Sequence, residues 1–208
     1  MAAHYFDEEP AVRSAPASVE VNLADMSLQF RTDRGVFSAH RLDPGTKLLL
    51  NEVSLLPQHS ATLDLGCGWG AIACVTALRS ITGRIWAIDT NARARYLTAL
   101  NAHDLGVQAR LTVAAPDEVP PNVRFDHILS NPPIRIGKAA LRSCLAMWLN
   151  RLSATGIAHL VMQKHLGSDS MQHWLSEQGF PTSRLVSRSG FRILEVHPIQ
   201  DGRVRDAT

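Results

Sequence analysis

Long hydrophobic runs are missing from this chain of 208 residues. No stretch approaches the roughly 20 consecutive apolar residues that a bilayer-spanning helix needs. The first ten residues carry Asp7, Glu8 and Glu9 and lack the apolar centre of a secretory signal. The expectation is a cytoplasmic protein with no membrane partner. Cysteine is scarce: there are three, an odd number. Cys67 and Cys74 have no second pair at matching spacing and no histidine cluster nearby, so no zinc site and no other metal is expected. The nine histidines are scattered and read as surface or packing residues. A large charge excess is absent as well. A net charge of +2 and a pI near 8.6 permit a nucleic-acid partner without demanding one. No internal repeat and no second domain are found.

What is present is an ordinary core-forming composition, 45% apolar and 19% charged. Residues 1–17, rich in Ala, Pro and Ser towards their end, read as a flexible arm. His4, Tyr5 and Phe6 form an aromatic patch within it. Alternating stretches at Ser18–Leu23 and Leu28–Thr32, with Asp25 between them, predict a hairpin. Asp43 then caps a helix with Pro44 in its first turn, leading into Leu48, Leu49 and Leu50.

From residue 61 strands alternate with helices. Strands are expected at Ala61–Leu65, Arg84–Ile88, Ala109–Val113, Phe125–Leu129 and Ile157–Met162. Ser183–Ser187 and Arg192–Val196 read as a closing pair. Helices are expected at Ala71–Leu78, Ala92–Leu105, Ala139–Leu152 and Ser168–Gln178. This pattern predicts an α/β fold, a mostly parallel sheet with helices on both faces. The single domain is expected over 18–200, with the hairpin and first helix in 18–56, the cofactor-binding core in 57–200, and a tail at 201–208.

The segment Leu63 to Ala71, LDLGCGWGA, runs from a strand through a glycine-rich turn into a helix. Glycines allow a sharp turn and a close approach to a ligand, and the helix behind offers free N–H groups. Gly66 to Ala71 also fits the dinucleotide pattern, so the glycines alone do not separate a nicotinamide cofactor from S-adenosylmethionine. Asp64, at the end of the strand, would repel a pyrophosphate and favour a cationic amino acid moiety. Asp89 ends the next strand, 21 positions beyond Gly68, where a carboxylate can accept the ribose hydroxyls of either cofactor.

Ser130-Asn131-Pro132-Pro133-Ile134 follows the strand Phe125–Leu129 and falls at the same sheet edge as the glycine loop. An Asn side-chain oxygen and a rigid proline carbonyl form two acceptors aimed at one small volume. That suits an –NH₂ group, whose two protons are held while its lone pair faces a methyl donor. Such a transfer needs mainly alignment, and positioning alone lowers a barrier by roughly 7–11 kcal/mol.

With these motifs the chain resembles the class I, S-adenosylmethionine-dependent methyltransferases that carry Asn-Pro-Pro. It is most similar to the "methyltransferase small" group, which includes the small-subunit ribosomal RNA guanine-N2 methyltransferase. The likeness runs from about Thr32 to Val196. It includes Gly35 to Ser38, Leu42 to Thr46 with Leu48 to Leu50, the glycine loop, Asp89, Asn101, Ser130 to Pro133, and Gly190 to Arg192. The resemblance implies a Rossmann-like sheet of seven strands, the last antiparallel. It implies Asp64, Gly66 and Gly68 at the methionine moiety and Asp89 at the ribose. Ala115 and Asp117 would lie at the adenine, with Cys67 and Thr90 completing the cofactor set. Asn131 and Pro132, with Pro133, would grip the acceptor amine. The sequence departs from the family at Ile134, where an aromatic residue often stacks on the target base, and at Pro116, where a polar residue is expected.

The implied partner is RNA, either ribosomal RNA or the small ribosomal subunit. Ile134, Arg135, Lys138, Lys164 and Phe37 are the expected substrate-contacting residues, the cations meeting phosphates and Phe37 replacing the missing aromatic. Arg142, Arg184, Arg188 and Arg192 are further cations near the same edge. Adenine N6 or a protein glutamine amide presents the same –NH₂ geometry. A nicotinamide-dependent oxidoreductase and a non-catalytic RNA-binding module are the readings from other classes.

Overall fold

The structure, a computed structural model, describes residues 12–53, 58–133 and 136–199. An antiparallel hairpin leads, β1 (Ala17–Asn22) against β2 (Ser27–Thr32), with Val19 opposite Phe30 and Val21 opposite Leu28. Alternation turns Val19, Val21 and Phe30 inward, where all three are buried. Helix α1 (Pro44–Glu52) follows, with Asp43 accepting from the Thr46 N–H at 3.0 Å as the expected cap.

The main sheet contains β3 (Ala61–Leu65), β4 (Arg84–Ile88), β5 (Leu111–Ala114), β6 (Phe125–Ser130), β7 (Leu152–Gln163), β8 (Thr182–Arg188) and β9 (Phe191–Val196). Their spatial order is β5-β4-β3-β6-β7-β9-β8, and β9 runs antiparallel to both of its neighbours. The expected Rossmann-like, seven-stranded, mostly parallel fold is therefore present. Helices α2 (Ala71–Arg79), α3 (Ala92–Asp104), α4 (Lys138–Leu149) and α5 (Ser168–Glu177) complete it.

Alternate residues of the central strands feed two cores. Leu129, Val161 and Ile193 pack with Leu49, Ala73 and Val75 on one face, and the hairpin residues join this cluster. Ile128, Leu160 and Leu194 pack with Leu145, Trp148 and Leu175 on the other. β3 and β6 are accordingly buried on both faces along almost their whole length, including Thr62, Asp64, His127 and Ser130.

Three boundaries differ from the sequence pattern. Helix α4 ends at Leu149, and Leu152 opens β7 opposite Phe125, ahead of a register shift before the His127–Ile157 pair. Leu152 satisfies a helical period equally well, an ambiguity inherent to short apolar runs. Gln108–Arg110 forms a 3₁₀ turn, so β5 starts at Leu111. The arm expected over 1–17 lies outside the described residues as far as 11, together with His4, Tyr5 and Phe6. Beyond that the chain is held: the Ser14 hydroxyl and Ala15 N–H donate to Asp33, and Ala17 already belongs to β1. The expected tail at 201–208 is also outside the described residues.

The order of strands reverses between β3 and β6, because β3 is followed by β4 on one side and β6 lies on the other. Loops leaving the carboxyl ends of these two strands face a common crevice, the usual ligand position in open α/β sheets. Residues 66–70 and 131–133 are those loops.

Candidate active site

The glycine loop is fastened by backbone. The N–H groups of Gly66 and Cys67 both donate to the Ile88 carbonyl at 2.9 Å, and Gly70 N–H donates to Cys67. Gly66 and Gly68 have φ of +79° and +56°, and a Cβ on either would meet no atom within 4 Å. Their glycines thus answer a left-handed backbone and leave open space in front of it. Thr98 on α3 steadies the loop from behind by donating to the Gly68 carbonyl at 3.0 Å. Asn101, also on α3, bridges the Trp69 carbonyl to both backbone groups of Arg31. Trp69 itself is buried against Phe30 and donates to the Ser38 carbonyl, so it packs the hairpin to the loop.

Asp89 ties the two strand ends together, accepting from Gly68 N–H at 3.0 Å and Asn91 N–H at 2.9 Å. Burial raises its pKa, opposed by those two bonds. Asp64 is fully buried and accepts from the Ala73 N–H at 2.9 Å in the first turn of α2. Its second oxygen has no hydrogen-bond partner, and burial pushes its pKa up to about 8. The Cys67 thiol is buried, and burial raises its pKa well above the ordinary value. Thr90 is exposed, and its carbonyl accepts from Arg95. Ala115 caps the 3₁₀ turn Pro116–Glu118 beyond the end of β5 and Asp117 lies within it, with Glu118 reaching back to the Ala115 N–H at 2.6 Å.

On the other side of the crevice, Ser130 donates to the Leu65 carbonyl at 2.7 Å, joining β6 to β3 just before the two loops part. The side-chain nitrogen of Asn131 donates to Asp43 Oδ2 at 2.8 Å and to Thr46 Oγ1 at 3.0 Å. Both amide protons are thereby committed, and the carbonyl oxygen of the side chain keeps its acceptor capacity. The Pro133 carbonyl accepts from Ile136 N–H, whereas the Pro132 carbonyl has no such bond among the described residues. Phe37, Asp43, Thr46, Gly66, Cys67 and Asn131 line one cleft, so the glycine loop and Asn131 border the same space. Phe37 is 44% exposed there. Phe191 instead packs beneath α1, where a Cβ on Gly45 would come within 2.8 Å of its ring.

The cations divide into two sets. Arg184 and Arg192 both pair with Asp169, Arg188 pairs with Glu52 at 2.9 Å, and Arg142 stacks over Trp174. Lys138 and Lys164 are exposed. Arg34, His40 and Arg41, which the sequence pattern does not single out, are exposed on the loop carrying Phe37 and line one groove. Among the described residues they make no ion pair. Ile134 and Arg135 lie outside the described residues. A larger hollow of about 1010 Å³ lies between the hairpin and α3, lined by no residue of the glycine loop or of Asn-Pro-Pro, and its Arg31 is paired with Asp104. Among the described residues no cluster of His, Cys, Asp or Glu could hold a metal ion, and no helix is long and apolar enough to cross a membrane.

The model of the methyltransferase small domain family matches residues 27–195, taking in both loops of the cleft. The chain belongs to that family. Similar proteins include the uncharacterized protein YbxB of Bacillus subtilis, 30% identical over 202 residues, 96% of this chain and 100% of that one. The ribosomal RNA small subunit methyltransferase C of Ectopseudomonas mendocina is 34% identical over 90% of this chain and 57% of its own. The ribosomal RNA large subunit methyltransferase G of Shewanella amazonensis is 31% identical over 77% of this chain and 43% of its own. The chain spans about half the length of these ribosomal RNA methyltransferases. Among solved structures, the T. thermophilus 16S rRNA N2 methyltransferase in complex with AdoMet and guanosine superimposes with a TM-score of 0.73. It is 21% identical, over 91% of this chain and 52% of that one, and establishes likeness of fold. As a family member the chain is a methyltransferase whose methyl donor is S-adenosylmethionine.

Proposed function

We propose that the chain methylates an exocyclic amine of a nucleic-acid base, with guanine N2 of small-subunit ribosomal RNA as the first choice. One observation carries this reading: Asn131, a residue lining the cleft, spends its amide protons on Asp43 and Thr46, which leaves its side-chain oxygen as an acceptor. With the Pro132 carbonyl it offers two acceptors to one –NH₂ group, which must be a donor. Positive charge develops on that nitrogen as the methyl group arrives, and both oxygens stabilise it.

The residues present fit S-adenosylmethionine. The open space in front of Gly66 and Gly68 accommodates a ligand lying against backbone, and the Asp89 oxygens retain lone pairs for ribose hydroxyls. A cationic methionine moiety close to the unpartnered Asp64 oxygen would draw the proton off that carboxyl and pair with it, Cys67 and Thr90 would contribute backbone, and Ala115 and Asp117 would border the adenine. The cofactor supplies a methyl group already activated on a sulfonium. The protein therefore has to align, exclude water and hold the amine.

An RNA acceptor is supported by the cations that carboxylates leave alone. Exposed Lys138 and Lys164, and Arg34, His40 and Arg41 in the groove that shares Ser38 with the cleft, would meet phosphates, and exposed Phe37 would stack on the target base. Ile134 and Arg135 belong to the same proposed contact set from their place in the sequence. A cytoplasmic location goes with this substrate. The similarity to a large-subunit methyltransferase supports a second reading with the same chemistry on the other subunit.

Mass-spectrometric nucleoside analysis of RNA from deletion and wild-type cells tests the proposal. Loss of N2-methylguanosine from a small-subunit position is the expected result. Loss from the large subunit would transfer the assignment, and loss of N6-methyladenosine would change the base. An unchanged RNA profile would contradict an RNA acceptor and direct the search to DNA and protein amides.

A further inference from the structure

We propose that Asp43 is a positioning residue for the transfer: it fixes which end of the Asn131 amide faces the acceptor and strengthens that end as an acceptor. The inference rests on the amine-acceptor reading of Asn131. A carboxylate accepts hydrogen bonds and never donates them. The end of the Asn131 amide against Asp43 Oδ2, at 2.8 Å, must therefore be the –NH₂ end. Rotating the amide by half a turn would set oxygen against oxygen and point a donor at the substrate amine, donor against donor.

The carboxylate is itself rigidly placed. The same Oδ2 accepts from the Thr46 N–H at 3.0 Å, and the Thr46 hydroxyl oxygen takes the second Asn131 bond at 3.0 Å. Pro44 opens α1, and Gly45 is required where a Cβ would lie 2.9 Å from the Asp43 carboxylate and 2.8 Å from the Phe191 ring. Asp43, Pro44, Gly45 and Thr46 thus form one seat, wedged between β9 and the end of β6. A carboxylate on the –NH₂ end also polarises the amide, raising negative charge on the oxygen that faces the amine. Charge-assisted bonds of this kind are about twice as strong as neutral ones. Asp43 borders the cleft, but both lone-pair contacts of its Oδ2 go to Thr46 and Asn131, so the proposed action passes through Asn131.

A capping role alone predicts something different. Asn and Ser cap helices about as well as Asp. Asp43→Asn and Asp43→Ser should therefore keep Tm within about 2 °C and leave the Kd for S-adenosylmethionine within about twofold. We expect kcat to fall about tenfold or more in both, with the KM for RNA little changed, because the lost interaction matters most as charge develops. In an Asn131→Ala background, Asp43→Asn should lower the residual turnover by less than about twofold. The proposal is overturned if both single variants keep kcat within twofold of wild type, or if the loss is as large without Asn131. If Asn131→Ala itself turns over normally, the amine-acceptor reading is what fails.

Discussion

The two halves of the cleft are built in different ways. On the donor side Gly66, Gly68 and Asp89 themselves are placed by consecutive β-α-β segments and by backbone bonds to Ile88, with the hairpin bracing the loop from behind through Asn101 and Trp69. On the acceptor side Asn131 depends on side chains far away in sequence, 88 positions from Asp43 and 85 from Thr46. A contiguous motif can be moved between proteins with little loss of geometry. A seat assembled from the start of α1 and the end of β6 requires the whole domain to be folded around it. Donor chemistry is accordingly the general property of this fold, and the acceptor is where members diverge.

The sharpest way to break the donor half alone is Gly68→Val. Its φ of +56° strains a β-branched residue by roughly 1–2 kcal/mol, and the new side chain fills the space reserved for ligand. We expect S-adenosylmethionine affinity to fall about 100-fold by calorimetry, while Asn131 stays in place and the circular dichroism spectrum is retained. Asp89→Ala removes two bonds that fasten loop to strand end as well as the proposed ribose contact. Bonds to charged groups contribute about 1.5–3 kcal/mol each, so a loss of tenfold or more is expected in the same assay.

On the acceptor side, the double variant Arg34→Ala/Arg41→Ala should weaken RNA binding several-fold. It should also reduce the slope of log affinity against log salt by about 0.7 for each single-strand phosphate that is no longer neutralised. Arg184→Ala/Arg188→Ala should leave that slope unchanged, since those guanidinium groups are held by Asp169 and Glu52. Equal effects of the two pairs would remove the distinction between free and committed cations.

A last comparison, read in stability rather than in binding, concerns Asp64. Its folded pKa, about 8, lies above the ordinary value of 3.8, so between these pH values the native state holds a proton that the unfolded chain has released. Raising the pH through this window favours unfolding. Urea midpoints measured from pH 4.5 to 8 should show a less negative slope in Asp64→Asn than in the wild type. A carboxylate that kept its ordinary pKa in the folded state would give parallel curves.

Much of this was legible in the residues. Alternation at Val19 and Val21 marked the hairpin, Asp43 with Pro44 marked the start of α1, and the glycines with Asp89 marked the nucleotide edge. The end of α4 was not, because Leu152 suits a helix and a buried strand alike and only pairing with Phe125 decides. Asp43 was legible as a cap but not as a partner of Asn131, since no local pattern records a contact across 88 positions. Pairing also separates the cations: Arg188 and Arg41 look alike in sequence, and Glu52 on α1 claims only the former.

The most direct test of the division between donor and acceptor halves pairs two measurements on Asn131→Ala, the Kd for S-adenosylmethionine and single-turnover methylation of RNA. The expected result is a Kd within about twofold of wild type and a rate lower by about 100-fold or more, comparable to removing a hydrogen-bonding group that acts in the transition state. Near-normal methylation would contradict the placement of the acceptor at Asn131, and a Kd that collapsed with the rate would contradict the separation of the two halves.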